Sequence, residues 1–342
     1  MAGLEVTGVE TWTYFAISLV VILVRVGLRW RAEGFRGLDA DDYLMVLAAP
    51  LYGAGTVVAF FVNVHAHGLA NNGPTPEERA ALDPDSLEWR LRVKGSQLHL
   101  SGWLLYTALL WTLKLCWLFF YKRLGDRVNR MTLKVNLGFV LVGSTYVAVF
   151  ATILFGCWPI SKHWQINPDP GNRCYPAIAE LQAWVVVCTN LTTDLYIMTI
   201  PLPMVWRARI SARKKAGLGA MFCCGLITIG FGAARCAFIL RNDSGDTEFA
   251  ARWSSRESFV AVIISNVPIL FPLIRQESRS GAGVYKLSAM SSHKQSGQGK
   301  SRNAMGHANG YGGHESEESI VSVHQPGRTD GTNDAQHSTK MI

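Results

Sequence analysis

The stretch QLHLSGWLLYTALLWTLKLCWLFFYKRL, Gln97 to Leu124, decides the fold. From Leu98 to Tyr121 it runs 24 residues with a single charge, Lys114. At about 1.5 Å per residue that length crosses a bilayer core of roughly 30 Å, so the stretch reads as a transmembrane helix. It ends in Lys122 and Arg123, with Arg127, Arg130 and Lys134 close behind. The positive-inside rule places that end in the cytoplasm.

Six further apolar stretches can be read outward from it: about 11–30, a second that follows Tyr43 and ends near Val64, then about 133–156, 179–205, 217–240 and 258–274. Lys and Arg number three, five and five in the segments 29–42, 122–134 and 206–216, against four, two and three in 65–97, 157–178 and 241–256. Per residue the first set is richer, which puts the N-terminus outside. The expected fold class is an all-α membrane protein, a seven-transmembrane helix bundle with its C-terminus in the cytoplasm. Its expected parts are a short outer N-terminus (1–10), the membrane domain (11–274) and a disordered cytoplasmic tail (275–342).

Composition fits that division. The 342 residues are 49% hydrophobic and 17% charged, yet the mean hydropathy is only +0.15, because the Ser-, Gly-, His- and Lys-rich tail dilutes an apolar core. The formal charge of +8 is divided among alternate loops. Topology explains it, and no nucleic-acid partner is implied. The opening MAGLEVTGVE is acidic and lacks a positive n-region and a small-residue cleavage site, so the first span is expected to be kept.

Local signals refine the loops. Asp39, Asp41 and Asp42 stand where the second span begins, as caps facing the positive end of a helix dipole. Thr75-Pro76-Glu77-Glu78 supplies an N-cap, a proline at the first helical position and a Glu at N3. It predicts a short helix ended by Asp83-Pro84. Five cysteines fall in spans and read as packing residues. Cys157 and Cys174 share the loop after the fourth span, on the oxidising side, and are expected to form a disulfide. That bridge should hold Trp158, Pro159 and Trp164 over the outer mouth. Asn242-Asp243-Ser244 is a glycosylation sequon in the last outer loop. His65, His67 and His99 lie near outer span ends, but no carboxylate stands at fixed spacing, and no metal is expected.

Ionisable groups at membrane depth are functional candidates by default, because burying them unpaired is costly. Lys114 and Asp194 fall at similar depth on the third and fifth spans and can pair, with Asn190 one turn from Asp194. Arg235, near the outer end of the sixth span, is expected to pair with Glu180, and Arg25 to snorkel to the cytoplasmic headgroups. Lys114, Asn190, Asp194, Arg235 and Trp111 form the candidate binding set. Asp194, Lys114 and Glu180 are the candidate acids and bases of an enzyme. Opsins carry their Schiff-base lysine on the seventh helix, and SFVAVIISNVPILFPLI contains none, so neither retinal nor any other cofactor is expected. Pro201, Pro203, Pro268 and Pro272 predict kinks.

Several spaced motifs resemble one family, the fungal rhodopsin-like integral membrane proteins, with receptor-like members and members found beside mycotoxin biosynthesis genes. They are Leu38-Asp39-Ala40-Asp41-Asp42-Tyr43-Leu44, Lys114 with Phe120-Tyr121-Lys122-Arg123-Leu124, and Cys157-Trp158-Pro159-Ile160-Ser161 with Trp164 and Cys174. Thr193-Asp194-Leu195, Ile200-Pro201-Leu202-Pro203, Arg235, Pro268 and Pro272 complete the series. The family often has Gly-Leu-Gly then His after the second span, where this chain has Gly68-Leu69-Ala70-Asn71. The third span ends Tyr-Lys-Arg rather than Asp-Arg-Tyr, so no motif supports G-protein coupling. The seven-span topology, the hinging prolines and the long Ser-rich tail point to a receptor-like sensor of a small molecule, expected in the plasma membrane or the secretory pathway. The alternative is a membrane-embedded enzyme of a secondary-metabolite pathway, with a transporter third. The expected partners are the lipid bilayer and a hydrophobic small molecule.

Overall fold

A computed structural model of the chain describes residues 2–124, 129–201, 212–241 and 249–270. Among the described residues every regular element is helical. In order they are α1 (Ala2–Glu33), α2 (Ala40–Val64), α3 (Pro76–Ala81), α4 (Leu87–Leu124), α5 (Asn129–Phe155), α6 (Glu180–Thr199), α7 (Ala212–Arg241) and α8 (249–270). Short 3-10 turns lie at Phe35–Gly37, Ile160–Trp164 and Asn172–Cys174. Asn242, Pro203, Pro272 and the 275–342 tail lie outside the described residues.

α4, the helix of the stretch that decided the fold, is the axis of the bundle. Over its most apolar window 56% of residues are buried, against 17–28% for α1, α2 and α5. One face carries Trp103, Leu110, Trp111, Leu118 and Tyr121 into a core shared with α5, α6 and α7. Another carries Leu109, Leu113 and Cys116 into a second core with Ile22, Met45, Ala48, Tyr52 and Val262. On α5 the buried residues Met131, Val135, Val142, Val149 and Ile153 form one stripe, while Leu133, Leu137, Val140 and Val147 are 53–69% exposed. A helix apolar on both faces, only one of which meets protein, is suited to lipid on the other.

Among the described residues four helices are long and apolar enough to cross a bilayer: Gly8–Glu33, Ala40–Val64, Leu87–Leu124 and Met131–Phe155. The polar residues of α6, Gln182, Thr189, Asn190, Thr192, Thr193 and Asp194, dilute its hydropathy, while Gly225–Leu240 of α7 is a shorter apolar stretch.

Helix starts differ from the sequence expectation in three places. α1 begins at Ala2 rather than near Thr11, and α4 at Leu87 rather than near Leu98. Its added turns are polar and helix-forming. Ser86 Oγ accepts from the Trp89 amide at 3.2 Å, and Glu88 pairs with Arg92 at 2.8 Å. The chain is already helical at 249, ahead of the expected start near Ser258. Arg252, Arg256 and Glu257 hid that start, since hydropathy counts them as loop residues whether or not they are paired. Arg256 meets Glu10 of α1 at 3.0 Å. The short helix at Pro76 forms as expected, with Thr75 accepting from the Glu78 amide and the Glu78 carboxylate accepting from the Thr75 amide.

Candidate functional site

A cleft of about 100 Å³ lies between α4, α6, α7 and α8. Leu110, Leu113, Trp117, Ile197, Met198 and Ile264 make its apolar wall, and Lys114, Asn190, Asp194, Thr228, Glu257 and Ser265 its polar one. Lys114 is 4% exposed and ion-pairs with Asp194, as the depth of the two residues predicted. Its Nζ also donates to the Asn190 carbonyl at 3.4 Å and stands 5.7 Å from the Trp111 ring. Trp111 in turn donates its indole N–H to Thr145 Oγ1 of α5 at 3.1 Å. Lys114 therefore does not snorkel. A fixed carboxylate and a carbonyl take its protons inside the protein.

The pair continues into a second one. Asn190 Nδ2 donates to Glu257 Oε1 at 3.2 Å, and Tyr106 O–H donates to Glu257 Oε2 at 2.5 Å. Arg235 Nε lies 3.8 Å from the same Oε2, its guanidinium held 4.8 Å from the Trp103 ring and 4.7 Å from that of Tyr106. Gly232 lets α7 come this close, since a Cβ there would stand 3.2 Å from Glu257 Oε1. Two cations and two carboxylates are thus gathered with Asn190 between the pairs, a neutral set in which each charge has a partner.

The expected Arg235–Glu180 pair is replaced by Arg235–Glu257. Glu180 is exposed at the first turn of α6, whereas Glu257 is 1% exposed. Hydropathy starts the last span one residue after Glu257 and so passes over it. A single carboxylate between Arg256 and a long apolar run was the signal that could have found it.

At one end of the bundle, Arg25 of α1 is also buried rather than snorkelling, at 1% exposure. It donates to Asp41 at 2.7 Å, to Asp42 at 3.1 Å and to the Ser265 carbonyl of α8 at 3.1 Å. Arg29 bridges Asp42 at 3.1 Å and Asp39 at 3.0 Å, and Arg123 reaches Asp39 at 2.5 Å. The capping expectation holds in part, as Asp42 accepts from the Asp39 amide at 3.3 Å. The larger role of the aspartates is to tie α1, α2, α4 and α8 together through arginines.

At the other end Cys157 and Cys174 form the expected disulfide, with Cα atoms 5.2 Å apart. Asn71, from the segment where the chain departs from the family pattern, is fully buried there. Its Nδ2 donates to the carbonyls of His163, Gln165 and Cys174 at 3.0, 3.3 and 3.0 Å, and its amide donates to Ser96 Oγ at 2.8 Å. Arg79 donates to the Ile166 carbonyl at 3.0 Å and to Tyr175 O–H at 3.0 Å. Tyr175 hydrogen-bonds Asp169, which also accepts from the Gly171 amide, and these bonds hold the Asp169 carboxyl below its usual range. Burial pushes the His163 imidazole down. Trp103 donates to the Pro176 carbonyl at 2.7 Å, joining this cap to the Arg235 pair. Trp164 is partly buried against the core, and Trp158 is 70% exposed beside Phe155.

The family model described as the fungal rhodopsin domain matches residues 24–276. The chain is 28% identical over 229 residues to a polyenoic acids biosynthesis gene cluster protein, Ba17b, of Metarhizium anisopliae, an alignment covering 66% of this chain and 59% of that one. It is 30% identical over 125 residues to a SAT4 family membrane protein of Emericella nidulans, covering 36% and 32%. The aligned part thus spans less than two thirds of either relative. No solved structure matches. Since the matched domain takes in most of the chain, including both ion clusters and the disulfide, this membrane protein belongs to the fungal rhodopsin domain family.

Proposed function

We propose that the protein is a receptor-like sensor, a seven-span bundle with its N-terminus outside, that takes an apolar small molecule into the cleft between α4, α6, α7 and α8. In this reading the disulfide end is the outer face and the aspartate end the inner one. Lys114, Asn190 and Asp194 meet the ligand, with Trp111 and Arg235 backing them. One observation carries the sensor reading: Ser265 lines the cleft, and its carbonyl is held by Arg25 of the aspartate cluster. A ligand that shifts α8 must stretch or release that bond, so occupancy and the inner cluster share one helix.

The coupling is tested by filling the cleft. Thr228→Phe should change the hydrogen-exchange protection of residues 39–43 and 262–268, and unchanged protection in a well-folded variant would sink the coupling. Topology is tested by a tag after Ile342, which antibody should reach only in permeabilised cells.

The relative's polyenoic acid cluster favours a second reading, a membrane enzyme of secondary metabolism. Asp194, Lys114 and Glu257 would supply the acid and base, with Glu180 too exposed to join them. Deleting the gene would separate the two, since an enzyme's loss makes a precursor accumulate and a sensor's loss does not.

A further inference from the structure

The cleft's hydrogen-bonding inventory points to one class of ligand, on the reading that the cleft is a ligand site. Asn190 is 4% exposed, and its Oδ1 accepts no hydrogen bond among the described residues. The amide cannot be turned to hide this, because Nδ2 donates to the Glu257 carboxylate. A buried acceptor of this kind needs a donor. Lys114 has three N–H groups, of which Asp194 and the Asn190 carbonyl take two, leaving one to give. The site therefore asks for a group that donates to Asn190 and accepts from Lys114.

Charge narrows the choice. The lining holds one cation, Lys114, and two carboxylates, Asp194 and Glu257, and Arg235 behind them completes the neutral set. An incoming carboxylate would meet two like charges and a lysine already compensated. An incoming ammonium would meet Lys114 and Arg235. Either would leave a charge unpaired at low dielectric, where that cost is high. A neutral hydroxyl disturbs no charge and can both donate and accept. Leu110, Trp117, Ile197, Met198 and Ile264 offer the rest of the molecule an apolar wall. We propose that the cleft takes an apolar alcohol, its hydroxyl between Asn190 Oδ1 and Lys114 Nζ.

The test uses the full chain in lipid nanodiscs with three diazirine probes of equal alkyl chain length, ending in a hydroxyl, a carboxylate or an ammonium. Labelled peptides are mapped by mass spectrometry with and without excess unlabelled long-chain alcohol, which separates a saturable site from surrounding lipid. The alcohol probe should label α4, α6 and α8 peptides saturably and about tenfold better than the other two, the effect of one buried hydrogen bond made or missed. In Asn190→Leu, checked by its melting temperature, that preference should disappear. Equal or stronger saturable labelling by the carboxylate or the ammonium overturns the head-group assignment and leaves the cleft a ligand site. If none of the three labels it saturably, the assignment and the ligand-site reading fall together.

Discussion

Arg25 on α1 donates to the backbone carbonyl of Ser265 on α8, 3.1 Å away, across 240 residues of sequence. The same guanidinium holds Asp41 and Asp42 of α2. One planar fork therefore joins three helices, and its five donors suit that task better than an ammonium would.

Arg25→Leu should leave Asp41 and Asp42 buried with less compensation and cost roughly 3–5 kcal/mol, the usual effect of breaking a buried pair. Arg25→Lys keeps the charge but cannot contact all three acceptors at once, so it should recover only part of the loss. Melting temperatures in detergent decide it. A leucine variant that melts with the parent would mean the cluster is worth nothing net.

Asn71 offers a sharper contrast, because one amide nitrogen serves three carbonyls. Asn71→Ala should cost about 1–3 kcal/mol for the partners left without a donor. Asn71→Asp should be worse, since it turns a carboxylate oxygen toward three carbonyl oxygens. Hydrogen exchange over residues 157–178 should rise in that order. An aspartate variant as protected as the parent would show that the other cap contacts suffice.

How much of this was legible depended on whether a residue's partner lay within reach of a pattern. The Lys114–Asp194 pair could be read because both helices were recognised and depth is counted from their ends. The disulfide followed from two cysteines in one loop, and the α3 cap from four consecutive residues. Glu257 has a faint signal, its place between Arg256 and an apolar run, but hydropathy scores a paired glutamate as though it were bare and so cuts the last span short. Arg25 reads as a snorkelling residue for a similar reason. Its position one turn inside a span is compatible with headgroups or with carboxylates, and only the fold brings Asp41, Asp42 and Ser265 to it. Asn71 carried no signal at all, since its three acceptors are backbone carbonyls, 92 to 103 residues away in sequence.

Acid should loosen the cap at the disulfide end. The folded pKa of His163 lies below the ordinary value of 6.5 because the ring is buried. The unfolded or opened cap therefore binds a proton first. Its stabilisation is complete above pH 6.5 and falls away as pH drops from there toward the folded pKa. Asp169 adds a second loss lower down, since its depressed pKa favours the folded cap only while it is ionised. Protection factors over residues 157–178 should decrease between pH 7 and pH 5.5, and His163→Phe should remove that decrease. A parent whose protection is flat over this range would contradict the assignment.

Lys114 and Asp194 allow the most discriminating cycle. Lys114 is the more deeply buried, with 5% of its side chain exposed against 20% for Asp194. Removing the lysine leaves a carboxylate that can still reach the cleft, whereas removing the aspartate strands an ammonium. Asp194→Leu should therefore be the more harmful single change, near the roughly 3–5 kcal/mol of a broken buried pair, with Lys114→Met below it. The double variant should recover most of the loss, because neither charge remains to be desolvated. If it folds and still gives saturable alcohol labelling, the pair is structural and the head group is held elsewhere. If it folds without that labelling, the pair belongs to the site. Two single variants as stable as the parent would show that the charges are solvated through the cleft rather than dependent on each other.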